Sequence, residues 1–194
     1  RLNNSTINFN AGAQSNLRLE DEGGGETSLK MLLSSGLYNF QWIKSLSQTT
    51  QLILGNNFLF QNNTNYGKRI IIPDANMIES GGSVYIKNKL QKFILEAGAA
   101  ISIRNINTKE TPGVNTPDKP IQPFNKTYPV FNGSAGAVAN LSKNMFIKLN
   151  VGTGFRSGNL AELSSNGLHE GTFRYEIGDP DLKVEHNINS EAEF

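Results

Sequence analysis

The chain contains no cysteine, so disulfides and thiolate metal sites are excluded. It has two histidines, His169 and His186, and nothing around them has metal-ligand spacing. No run of about 18 apolar residues occurs, which excludes a membrane-spanning helix. No basic region followed by an apolar core opens the chain, so no signal peptide is visible. Neither sign of charge dominates: 18 Lys plus Arg stand against 17 Asp plus Glu, a net charge of +1. That balance gives no electrostatic reason to expect nucleic acid as a partner. No Ser-His-Asp set stands out, and Asp179 and Asp181 flank Pro180 as turn residues rather than as an acid and base pair.

What is abundant is asparagine, at 25 residues, and glycine, at 19, in a chain of 194. Both suit turns and both are poor helix formers. The length allows one domain with a sizeable core, or part of a larger one. The chain begins at Arg1, as a mature or excised product would. Period-two alternation is the strongest pattern. In 93–105, Phe93, Leu95, Ala97, Ala99, Ile101 and Ile103 fall on one face, while Glu96, Ser102 and Arg104 fall on the other. Met145, Ile147, Leu149 and Val151 likewise oppose Lys148 and Asn150, and Leu52, Leu54, Phe58 and Phe60 share a face. This is the signature of half-buried strands, and the chain reads as nearly all β.

Strands are expected near 4–20, 27–43, 49–61, 77–89, 91–107, 130–141, 145–154 and 182–194. The connections alternate in character: those near 44–48, 90 and 142–144 are short, while those at 62–76, 108–129 and 154–182 are long. The glycine run at 23–25 reads as a hairpin tip rather than a phosphate cradle, since no helix follows it. Strands longer than ten residues exceed the usual five or six, and short turns at one end with long loops at the other are a feature of outer-membrane β-barrels. Phe40, Trp42, Phe93 and Phe146 lie near the short turns, and Phe58, Phe60, Tyr128 and Phe131 near the long loops, as interfacial girdles would. In 27–43 the apolar parity changes from Leu29, Met31 and Leu33 to Tyr38, Phe40 and Trp42, and a bulge at 34–36 would restore register. The alternation alone leaves a soluble β-sandwich equally open.

The segment 150–187, "NVGTGFRSGNLAELSSNGLHEGTFRYEIGDPDLKVEHN", closely resembles part of the TonB-dependent outer-membrane receptors. In that family a strand ends in Gly-Phe-Arg, followed by Asn-Leu, Glu-Leu, a loop with glycine and histidine, and a Gly-Asn/Asp-Pro-x-Leu-Lys-x-Glu run into the next strand. The matching residues are Gly154, Phe155, Arg156, Asn159, Leu160, Glu162, Leu163, Gly167, His169, Gly171, Gly178, Pro180, Leu182, Lys183 and Glu185. Gly158 and Val184 depart from it, since proline is common at both positions. The resemblance extends less specifically upstream to about residue 30.

The resemblance implies an antiparallel, up-and-down transmembrane barrel of about 22 strands with a plugged lumen. Residues 1–194 would form about eight strands of that single barrel domain. The plug and its TonB-contacting segment lie upstream in the family and are missing, as are strands expected after residue 194. The implied function is a segment of an active-uptake receptor for an iron chelate or another scarce metal or cofactor. Its implied partners are the TonB system, acting through the plug, the small ligand, and outer-membrane lipid, with no nucleic acid and no enzymatic activity. Arg156, Glu162, His169, Glu170 and Arg174 are the candidate substrate or plug contacts. Arg156 and Glu162 are expected to hold the loop or meet the plug through charge-assisted hydrogen bonds. His169 and Glu170 carry ligand types that suit a divalent ion, though a solvated loop histidine fits as well. His186 is expected at the membrane interface, and no bound cofactor is implied. A non-transporting barrel or adhesin, and a soluble carbohydrate-binding sandwich, are the competing readings.

Overall fold

The computed structural model describes residues 4–21, 25, 27–111, 121–169 and 174–194. Seven long strands come first: β1 (Ser5–Asp21), β2 (Thr27–Ser45), β3 (Thr50–Asn65), β4 (Ala75–Lys89), β5 (Phe93–Thr108), β6 (Asn125–Ser142) and β7 (Met145–Arg156). A short helix α1 (Leu160–Ser164), a small hairpin of β8 (Asn166–His169) and β9 (Arg174–Ile177), and a last strand β10 (Glu185–Glu193) follow. Strands β1 to β7 and β10 form one sheet, in chain order, and β8 and β9 form a second. Every neighbouring pair in the large sheet is antiparallel. The eight-stranded up-and-down sheet matches the sequence expectation. Its last strand starts at Glu185 rather than near 182, and the preceding loop contains secondary structure of its own.

The register fixes a tilt. Ser45 pairs with Gln51, and that row continues through Lys87 to Glu96. The β4–β5 hairpin closes two residues further on, at Lys89 and Ile94. That row leads through Val138 to Lys148, and β6–β7 runs two residues further again, to Asn140 and Phe146. A slip of two residues is about 7 Å along a strand, and each hairpin is about 9.6 Å wide, giving an inclination of about 35°. Strands of closed outer-membrane barrels incline by roughly 35–45°.

Register also sorts the side chains. One row runs Ile7, Trp42, Leu54, Val84, Ala99, and the next but one runs Ala11, Tyr38, Phe58, Ser80, Ile103. On this outer face Leu95, Ile101, Ile147 and Val151 are 46%, 61%, 40% and 47% exposed. Nothing covers them, so the second layer that a soluble sandwich needs is absent among the described residues. Phe9, Tyr38 and Phe58 stack along this face with ring centroids 6.0 and 5.7 Å apart. Toward the long loops a polar row of Ser15, Ser34, Asn62, Asn76, Asn107 and Asn125 crosses this face, one residue from each of six strands, and on β1 and β2 Leu17 and Leu32 follow it. Asn62 Nδ2 donates to Asn76 Oδ1 at 2.7 Å within it.

The opposite, inner face carries Asn8, Asn39, Gln41, Asn57, Lys87, Glu96 and Lys148, with Lys87 paired to Glu96 and Lys148 to Glu191 and Glu193. Three expectations need correction here. The β1–β2 and β2–β3 registers run unbroken through 34–36, so there is no bulge. Leu29, Met31 and Leu33 therefore share the inner face with Asn39 and Gln41, because at the long-loop end a folded loop, not water, lies over that face. Tyr128 is no girdle residue: it is buried on the inner face with Ile106 and Leu163. Phe146 also takes inner-face parity, opposite Asn140. Of the glycine run at 23–25 only Gly25 is described, with φ of 75°. Residues 112–120 of the long 108–129 connection lie outside the described residues.

Charge should be tolerated on one face only. Ile101→Arg is expected to destabilise the folded protein in a bilayer by about 2–4 kcal/mol, the cost of an arginine near mid-membrane on a barrel's lipid face. Asn39→Arg, on the exposed inner face, should cost no more than about 0.5 kcal/mol. Denaturant unfolding of the full-length protein in lipid measures both.

Candidate functional site

The long connection after β7 forms a folded cap over the inner face. Its helix is only five residues long, too short to persist alone. A capping box starts it: Asn159 Oδ1 accepts from Glu162 N at 2.9 Å, and Glu162 Oε2 accepts from Asn159 N at 2.9 Å. These two bonds satisfy amide donors that a helix start otherwise leaves open. Leu163, 1% exposed, inserts between Ile106 and Tyr128, with Met77, Phe124, Leu160 and Val184 around it. Burying one such side chain is worth about 1.5–3 kcal/mol.

The returning arm of the loop crosses the last turn of α1 with backbone against backbone. Gly178 N donates to Ser165 O at 2.7 Å, and Asp179 N to Glu162 O at 2.8 Å. A Cβ on Gly178 would lie 2.7 Å from Leu163 C and from Ser165 N. No side chain fits there, which is the physical reason for glycine at that point of the motif. Asp181 N donates to Asp179 Oδ1 at 2.8 Å, so the Asp179 carboxylate closes a turn around Pro180. The cap is also tied sideways, by Asn166 N to Ile71 O at 3.1 Å and by Lys126 Nζ to Pro180 O.

Two arginines pin the cap to the sheet. Arg156, the last residue of β7, donates from Nη1 to both Glu162 oxygens at 2.9 and 2.8 Å. Its Nε and Nη2 reach Glu185 at 3.2 and 3.5 Å. Glu185 is also the cross-strand partner of Arg156, so one guanidinium joins the end of β7, the first turn of α1 and the start of β10. Only a planar fork can serve two carboxylates in this way. Arg104, on the inner face of β5, donates from Nε and Nη2 to Glu79 Oε2 at 2.8 and 2.6 Å, and from Nη1 to Ser157 Oγ at 2.8 Å. Ser157, at the root of the cap, is buried.

Among the five candidate residues, Arg156 and Glu162 meet directly. His169 and Arg174 are backbone partners across the β8–β9 hairpin, in the separate small sheet, and the Arg174 residue is exposed. Glu170 lies outside the described residues. His186 sits opposite Phe155 on the outer face. Among the described residues no three His, Cys, Asp or Glu side chains converge as a metal site. The arrangement orders a loop: one guanidinium holds a carboxylate of the cap and a carboxylate of β10 together. Sequence reasoning missed α1, although Asn159-x-x-Glu162 is a capping-box spacing. It also missed Arg104 with Glu79, whose only local signal is charge at inner-face positions of two neighbouring strands.

Arg156, and secondarily the Asn159 amide, hold the Glu162 carboxyl below the ordinary glutamate range. A lowered carboxyl contributes stability that is complete above its ordinary pKa and is lost as pH falls through the lowered value. Amide protection of residues 162, 163 and 165, corrected for intrinsic exchange, should therefore hold down to about pH 5 and drop only below about pH 4. Glu162→Gln should abolish that acid step.

A family model described as TonB dependent receptor-like, beta-barrel, matches residues 2–194. Comparison with curated proteins and with solved structures finds no significant match.

Proposed function

The chain belongs to the TonB-dependent receptor-like β-barrel family, and from that premise we propose that it forms part of the wall of a receptor importing an iron chelate, or another scarce metal complex or cofactor, across the bacterial outer membrane. The observation that supports this most is a family match over 2–194 on a sheet with one exposed apolar face and one polar face. A wall of this kind separates lipid from a hydrated lumen. No helix among the described residues is long and apolar enough to cross a membrane, and a barrel requires none.

The reading has structural requirements. Strands β1 and β10 carry the outer edges of the sheet, and hydrocarbon offers such edges no hydrogen-bond partner. Further strands must complete the barrel, and a plug domain must relay energy from TonB. Arg156 and Glu162 act by keeping the cap folded over the lumen. His169 and Arg174, backbone partners on the β8–β9 hairpin, and Glu170 are the proposed contacts to the cargo or plug.

Uptake in cells tests this. The full-length gene product, expressed in a host lacking its own chelate receptors, should accumulate radiolabelled iron supplied as a ferric chelate. Deleting TonB should abolish the accumulation. Uptake that persists without TonB would sink the active-transport reading. TonB-dependent uptake confined to a metal-free organic compound would keep that reading and remove iron as the cargo.

A further inference from the structure

Between α1 and the inner face of β2 to β5 lies a cavity of about 440 Å³. Met31, Leu33, Met77 and Ile106 line it from the sheet, and Leu160 and Ala161 from the helix. Each polar side chain at its margin already makes at least one hydrogen bond. Gln61 donates to Ser35 Oγ at 3.0 Å, Asn63 to Pro73 O at 2.9 Å, and Asn159 accepts from Glu162 N. The three guanidinium nitrogens of Arg104 all donate to Glu79 and Ser157. Water entering the space would find few free partners, and an apolar guest would lose nothing by displacing it. Its volume lies within the range of small-molecule sites.

The position is unusual for this sheet. Toward the short turns the inner face mixes the charged pairs Lys87 with Glu96 and Lys148 with Glu191 and Glu193 with Ile43, Ile53 and Phe146. The apolar recess is confined to the long-loop end, the end that a molecule arriving from outside the cell meets first. It has three independent walls: the strands, Ile72 from the 66–74 connection, and α1. Two of its nine apolar liners are methionines, whose thioethers adapt to guests of irregular shape.

We propose that this cavity is a subsite for a hydrocarbon arm of the imported molecule, with α1 as its roof. The proposal rests on the receptor reading above and narrows its cargo to compounds with an alkyl or similarly apolar appendage. The polar remainder of such a compound would stay in the lumen. Arg156 and Arg104 are positioning residues for this subsite, since they hold α1 over it without facing an unpaired ligand group.

Crystals of the full-length receptor soaked in dodecanoic acid brominated at its terminal carbon locate the chain directly by the anomalous signal of bromine. A bromine peak is expected between Met31, Met77 and Leu160, and it should vanish in Ala161→Phe, which fills the space from the roof. Leu33→Phe, which fills it from the wall, should also remove the peak and serves if the helix variant does not fold. Bromine confined to the outer lipid belt, an unchanged peak in both filled variants, or a cavity occupied by atoms of the receptor's own remaining chain would each overturn the proposal. Iron uptake measured on the same protein separates the two claims: TonB-dependent uptake with no peak removes the subsite alone, whereas uptake independent of TonB removes the receptor reading itself.

Discussion

A peptide group in hydrocarbon has no water to bond, so a chain that crosses a bilayer as strands must satisfy each group through its neighbours. The large sheet of this protein obeys that constraint through seven consecutive antiparallel pairings. The same constraint explains the lengths of its strands and their inclination of about 35°, because a tilted strand needs more residues to cross a given thickness. It also explains why alternation, rather than overall hydrophobicity, carries the membrane signal. Half of each strand faces lipid and half does not.

The exception on the inner face is where the protein becomes specific. Near the long loops, Met31, Leu33, Met77 and Ile106 gather on one stretch of a face that lower down carries most of its asparagines, glutamines and charges. They do so beneath a cap whose shape depends on a capping box, one buried leucine, a glycine crossing and two arginine forks. The energetic weight falls on Leu163, because burial of its side chain is the largest favourable contribution from the helix. The exposed Arg156 pairs contribute geometry instead, since solvent screens such pairs strongly. Removing the fork would leave the helix held by its apolar contact and by the backbone bonds from Gly178 and Asp179.

Much of this was legible in the residues themselves. Alternation in 93–105 and 145–153 gave the strands, and loop lengths gave the alternation of ends. The Gly-Phe-Arg segment gave the family, and 154–182 gave Arg156 and Glu162 as residues that hold the loop or meet the plug. What misled was parity. Leu29, Met31 and Leu33 looked out of register because an apolar inner face was not anticipated, and Tyr128 looked like a girdle residue for the same reason. A periodic pattern reports which side chains share a face, but not what covers that face. The cover is α1, too short to show a helical period of its own, and written instead in the spacing of Asn159 and Glu162. The link from Arg104 to Ser157 spans a separation in sequence that no local pattern reveals.

The account stands on the identity of the two faces, and site-directed spin labelling of the full-length receptor in lipid tests it most directly. Single nitroxides placed in turn along 93–104 report collisions with oxygen, which concentrates in hydrocarbon, and with a water-soluble nickel chelate. Labels at 95, 97, 99, 101 and 103 should be reached preferentially by oxygen, and those between them should be shielded from lipid. Uniform accessibility along the strand, or preferential contact of positions 95 and 101 with the nickel chelate, would contradict it.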